Sequence, residues 1–97
     1  MFIKIHRSYR TVVAICDSEI LGKKFEESEK QLNLTENFYK DKEVSEEGVI
    51  KTIQLQAAED ATFNIVGKNS INAAIKSGLI DEEGVGYIKD IPYVLVF

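Results

Sequence analysis

The chain is short of the residues from which small sites are most often built. Its 97 residues include one cysteine (Cys16), one histidine (His6), one proline, one methionine and no tryptophan. A lone cysteine cannot form a disulfide within the chain, which excludes a disulfide scaffold. Structural zinc sites of four cysteines, or of two cysteines and two histidines, are excluded on the same count. Long apolar runs are missing too. No stretch approaches the roughly 18 residues that cross a bilayer. Lys4, His6 and Arg7 interrupt the first apolar segment, against a signal peptide. The six glycines are scattered, and Gly84-x-Gly86 precedes a strand instead of following one, so no phosphate-cradling loop is assembled. No cofactor and no metal are expected.

What is present is an ordinary globular mixture. Hydrophobic residues make up 44% and charged residues 29%, too apolar for intrinsic disorder. A chain this short can bury only one core, so residues 1–97 read as a single domain. It reads as soluble and cytoplasmic, with no membrane partner. The net charge of −4 argues against a dedicated duplex-binding protein, which is normally basic. The distribution is uneven. Residues 1–25 carry Lys4, Arg7, Arg10, Lys23 and Lys24 against only Asp17 and Glu19, whereas residues 26–60 carry ten acids against four lysines. In sequence, a basic island precedes an acidic body.

Residues 2–7 and 10–16 are rich in β-branched side chains and have strand length. They predict an N-terminal hairpin. Ser8-Tyr9 is a poor pair for a two-residue turn, so a slightly longer loop is expected. If Arg7 pairs with Arg10, His6 faces Thr11, and Ile3, Ile5, Val12, Ala14 and Cys16 share one face. A short helical turn follows, capped at Asp17 or Ser18 and ended by Gly22. Leu32 and Leu34 alternate with polar residues as in a short third strand, and Phe38-Tyr39 reads as an aromatic anchor. Ser45 starts a helix with Glu46 and Glu47 in its first turn. Ile50, Ile53, Ala57, Ala61, Asn64 and Ile65 extend an amphipathic stripe to Gly67, predicting a helix of roughly 20 residues. A shorter helix from Asn69 or Ser70 ends at Gly78. Val85–Lys89 reads as a strand, and Pro92–Phe97 as a buried C-terminal strand. The fold class is α+β: a mixed or antiparallel sheet with one long and one short helix packed on one face.

Several of these segments together resemble a small archaeal family known only as domain-of-unknown-function family 424. They are Lys4-Ile5-His6-Arg7, Val13-Ala14-Ile15-Cys16-Asp17 with Leu21-Gly22-Lys23, Phe38-Tyr39, Asn64-Ile65-Val66-Gly67 and Ala73-Ala74-Ile75. No single motif is chemically specific, but order and spacing agree along essentially the whole chain. One departure stands near the end, where the family tends to carry Gly-Val-Pro-His and this chain reads Asp90-Ile91-Pro92-Tyr93. The resemblance implies an archaeal cytosolic protein with no established activity. It also gives some weight to an association with translation and RNA-handling machinery.

The residues that could carry chemistry are few. His6 and Cys16 are the obvious base and nucleophile, but the hairpin register separates them by roughly 16 Å at about 3.3 Å per residue, against the 3 Å or so a dyad needs. The numerous carboxylates lie in polar runs, where nothing raises their pKa for acid–base work. Asn64 is the one amide on an apolar stripe, and with His6 and Tyr93 it makes a candidate polar pocket. A small enzyme would place its site there, between the Asn64–Gly67 corner and the Pro92-Tyr93 strand. The hairpin tip, Arg7-Ser8-Tyr9-Arg10, offers two guanidinium groups and an aromatic ring, with Lys23 and Lys24 available to extend the patch. Such a set can meet an acidic protein surface or stack on unpaired bases. The reading is a non-catalytic interaction module that meets a protein partner through its basic end. The alternative is a ribosome- or RNA-associated accessory factor using the same tip, and a homodimer is compatible with the limited core.

Overall fold

The computed structural model describes residues 1–97. Strands β1 (Phe2–His6) and β2 (Val12–Cys16) form the expected hairpin, joined by the five residues 7–11. The register differs by one residue from the expectation: His6 faces Val12 and Phe2 faces Cys16. A one-residue slip turns every side chain of a strand to the other face. Val13 and Ile15 therefore join Ile3 and Ile5, while Ala14 and Cys16 join Phe2, Lys4 and His6. The longer loop is the physical cause. Ser8-Tyr9 does not close a two-residue turn, and the Ser8 hydroxyl instead donates to the Arg10 carbonyl across the loop (3.2 Å). The slip also sends the bulkier Val13 and Ile15 beneath the helices, where both are fully buried.

The largest departure lies between Ser45 and Gly67. Helix α2 spans only Glu46–Ala58, and Thr62–Val66 is a central strand, β6. The Ser45 hydroxyl accepts from the Gly48 N–H (3.3 Å), so the helix starts where expected. It ends because Asp60 turns left-handed, with φ of 60°, a conformation that Asp tolerates better than most residues. The stretch Thr62-Phe63-Asn64-Ile65-Val66 is dense in β-branched and aromatic side chains, which favour a pleated surface. Asn64 therefore lies on a strand and not on a helix. Gly67 does not stop a helix but precedes one, α3 (Lys68–Ser77). That helix ends at Gly78, which has φ of 86°. There the Gly78 and Leu79 N–H groups donate to the Ile75 and Ala74 carbonyls, as the glycine signal predicts.

Strands β5 (Lys42–Glu43), β7 (Gly86–Ile88) and β8 (Ile91–Val96) complete a six-stranded sheet in the order β5-β1-β2-β6-β8-β7. It is mixed, since β2 and β6 run parallel while the other pairs are antiparallel. Helices α2 and α3 cover one face, packing Val49, Ile53, Ile71 and Ala74 against Ile15 and Phe63. The other face is covered as well, which the sequence pattern does not anticipate. A two-stranded ribbon, β3 (Lys24–Glu27) and β4 (Lys30–Asn33), lies over it beside a one-turn helix, α1 (Glu36–Tyr39). Leu34, Tyr39 and Ile20 bury this layer against Ala14, Cys16 and Val66. The last strand is two-sided, with Val94 buried but Leu95 51% exposed, and Phe97, just beyond its end, is 89% exposed instead of buried. No helix is long and apolar enough to cross a membrane.

Candidate functional site

The tip loop is held out from the sheet by its anchor at Thr11. The Thr11 carbonyl accepts from both the backbone N–H (2.9 Å) and the hydroxyl (3.3 Å) of Thr62. This ties the loop to the turn that ends α2, and it sets Arg10 and Tyr9 beside Glu59 and Asp60. Between them opens a concavity of about 660 Å³, floored by Ala57, Phe63 and Val96. Tyr9 is fully exposed at 107%, and Phe97 stands at the same rim. Neither Arg7 nor Arg10 takes part in an ion pair. Phe97 and the Glu59–Asp60 turn were not candidates in the sequence. They join the tip only because β6 and β8 bring them to the starting end of β2, which no local pattern reveals.

The structure does not extend the basic patch to Lys23 and Lys24. They follow the 3-10 turn Ser18–Ile20 at the far end of β2, on the order of 13 Å from the tip at about 3.3 Å per residue. Lys24 is paired with Glu26 (3.0 Å). The island of positive charge in the sequence is two separate places in space.

The polar candidates are partly gathered. Asn64 and Tyr93 line one groove of about 360 Å³, joined by Tyr39, between the ribbon and the sheet. Gly86 lies opposite Tyr93, and a Cβ there would meet its ring at 2.9 Å, so the missing side chain makes room for the phenol. His6 does not reach the groove. Its ring stacks on Phe38 (centroids 4.7 Å apart, planes at 19°), and Nε2 donates to the Phe38 carbonyl (2.8 Å). With the observed register, His6 and Cys16 fall on the same face and not on opposite ones. Four residues of strand still part them, roughly 13 Å, too far for a dyad. Burial, reinforced by neighbouring Asp17, pushes the Cys16 thiol up to about 12, so it stays protonated and unreactive near neutrality. No three His, Cys, Asp or Glu side chains gather as a metal-binding group.

Asp17 shows in the sequence only as a local cap, but in the fold its side chain makes no capping hydrogen bond to the Ser18–Ile20 turn. Its carboxylate reaches across to α3, accepting from the Asn69 N–H (3.1 Å), the Ser70 N–H (2.8 Å) and the Ser70 hydroxyl (2.7 Å). An anion at a helix N-terminus meets unpaired N–H groups and the positive end of the helix dipole. Here the protein fills that position with its own carboxylate. Gly67, at φ of 111°, passes directly under it. The parallel pairing of β2 with β6 aligns the two strand ends and brings these residues together.

The fold thus defines a small α+β protein with a mixed sheet layered between two helices and a β-ribbon, presenting an exposed basic tip and a half-covered groove. The chain belongs to the family described as protein of unknown function (DUF424), whose family model matches residues 6–97. This bears out the resemblance carried by the N-terminal, mid-chain and helix motifs. The fold is similar to the crystal structure of an uncharacterized conserved protein from the archaeon Methanopyrus kandleri. The TM-score is 0.89 at 24% identity, covering 98% of this chain and 88% of that one. At that identity the likeness is one of fold. No curated protein matches the chain.

Proposed function

We propose that the protein is a non-catalytic interaction module that docks a protein partner at the tip concavity. The observation that carries this reading is the juxtaposition of Tyr9, Arg10 and Phe97 around an open hollow with an apolar floor. Exposed Tyr, Arg and Phe around a pocket are the side chains that dominate protein interfaces. The rim carries both signs, Arg10 on one side and Glu59 and Asp60 on the other. The matching surface is an apolar anchor flanked by one acidic and one basic residue. A phosphate backbone fits less well, because the two carboxylates repel it. The buried thiol and the engaged imidazole supply neither nucleophile nor base, in keeping with a binding role.

The second reading is a ribosome- or RNA-associated factor. The unpaired Arg7 and Arg10 favour it, since they flank an exposed ring that can stack on a base. Salt separates the two. The tagged protein is recovered from native lysate at about 50 and 200 mM salt, with co-purifying proteins identified by mass and RNA quantified in the same eluate. The first reading expects one stoichiometric protein at both concentrations, absent with Tyr9→Ala/Arg10→Ala, and rebinding as a purified pair only to the unmutated chain. RNA or ribosomal subunits that fall away at the higher salt support the second reading. Binding indifferent to the double substitution removes the tip from both, and a bare dimer by sedimentation makes a second copy the occupant.

A further inference from the structure

The layer over the second face of the sheet is incomplete. Helix α1 covers β1 and β2, and the ribbon leans toward β7. Between them, the middle of β6 and β8 is only half-covered. Thr62, Phe63, Ile65 and Val66 are all buried, while Asn64 alone in that strand opens to the surface. A fold tuned only for stability would place a β-branched or aromatic side chain at this central position. Asn64 instead points its carboxamide into the groove and takes no part in the side-chain hydrogen bonds of the chain. Tyr39 is 7% exposed, lines the same groove, and its hydroxyl has no partner within the protein. Burial holds that hydroxyl protonated, with its pKa raised to about 12, so it is a donor throughout the neutral range. Leu32, Ile88 and Leu95 form apolar walls. No carboxylate lines the groove, although the chain as a whole is acidic, and the cation at its rim, Lys30, is in no ion pair.

We propose that this groove binds a mononucleotide-like ligand: a flat heteroaromatic ring with an amide-like edge, carrying an anionic group. The ring lies against Leu32, Ile88 and Leu95. Its edge meets the Asn64 carboxamide, which presents a donor and an acceptor side by side and so pairs with a ring nitrogen and its neighbouring exocyclic group. The Tyr39 hydroxyl adds a second donor, and the Lys30 ammonium takes the anion. The groove volume of about 360 Å³ lies within the range of small-ligand sites, and its balance of apolar walls with a few convergent polar groups is typical of them. The Asn64 carboxamide and the Tyr39 hydroxyl have no partner within the protein and are not sealed from solvent, so a ligand edge takes the place of water at both. The groove faces away from the helices, whereas the tip concavity lies against them, so the two proposals stand or fall separately.

The test uses the full chain labelled with 15N and titrated in turn with AMP, GMP, CMP and UMP. The expected result is a saturable shift with at least one of them, at the Asn64 side-chain amide and the Gln31–Asn33 backbone, with a dissociation constant below about 1 mM. Asn64→Leu, which suits the strand and preserves the fold, weakens binding at least about tenfold, as the loss of roughly one good hydrogen-bonded pair requires. Lys30→Gln weakens binding of the nucleotide but leaves binding of its nucleoside unchanged. Tyr9→Ala/Arg10→Ala binds like the unmutated chain. The proposal is overturned if none of the four nucleotides gives a saturable shift, if the shifts centre on residues 7–11, or if Asn64→Leu and Tyr39→Phe, both folded by their spectra, bind as before.

Discussion

Asp17 and Gly67 hold together the two segments that meet at the end of the parallel pair. Asp17 is 4% exposed, and all of its side-chain hydrogen bonds go to the first turn of α3. Gly67 has a backbone angle that other residues avoid, and a Cβ built on it would overlap the Asp17 carboxyl group. Gly67→Ala therefore adds backbone strain to a steric clash with a group that cannot move without losing its bonds. The expected loss is more than about 2 kcal/mol, read as a drop in the midpoint of chemical unfolding. Asp17→Ala costs about 1–3 kcal/mol by leaving buried N–H groups unpaired. Because it also removes the atoms that Gly67→Ala strikes, the double variant loses less than the two single losses added. Strict additivity would show that the close approach is not what constrains Gly67.

At the scale of elements, what could be seen in the sequence was what carries its own local signal. The Ser45 cap, the Gly78 stop and the β-branched density of β1 and β2 each act within a turn or a strand. The end of α2 depends on Asp60 adopting a left-handed angle, and the stripe through Ala61, Asn64 and Ile65 continues the helical period by coincidence. Only pairing with β2 and β8 makes Thr62–Val66 a strand. Half of the ribbon was visible: the alternation at Leu32 marks β4, whereas β3 was hidden because Lys24–Glu27 is polar, and the ribbon's burial rests on Phe25 and Leu32 alone. The seam beneath α1 also has a measurable consequence. Cys16 on β2 and Tyr39 on α1 both sit in this buried layer, with pKa values raised from 9.0 and 10.0 to about 12. Both groups are neutral when protonated, so between about pH 9 and 12 the folded chain holds more protons than the unfolded one. Stability is therefore full below pH 9 and falls as pH rises toward 12. Urea midpoints measured from pH 8 to 11 should decline, and Cys16→Ala with Tyr39→Phe should flatten that decline. A midpoint rising over this range would contradict the burial of both groups.

At the scale of the whole molecule, charge and mobility are arranged in ways that order along the chain conceals. The basic N-terminal quarter divides between the two ends of β2, and the acidic turn Glu59–Asp60 comes to lie beside the tip. The two layers on the sheet are also unequal. Helices α2 and α3 bury twelve core residues with the sheet, whereas the ribbon side buries six. The ribbon shares no ladder with the six strands. Its backbone ties at the open end are the Gly22 N–H to the Leu34 carbonyl (2.7 Å) and the Leu34 N–H to the Lys23 carbonyl (3.0 Å). A segment with few buried apolar contacts and exposed hydrogen bonds opens at less than the global unfolding free energy. Native-state hydrogen exchange should therefore release the amides of β3 and β4 first, by more than about tenfold over those of Val13 and Ile65. The groove over Asn64 would then widen without the sheet being disturbed. A nucleotide seated there should slow ribbon exchange while leaving the tip loop unchanged. If the ribbon and the central strands exchange together, the second layer is part of one cooperative unit and the groove has no independent opening.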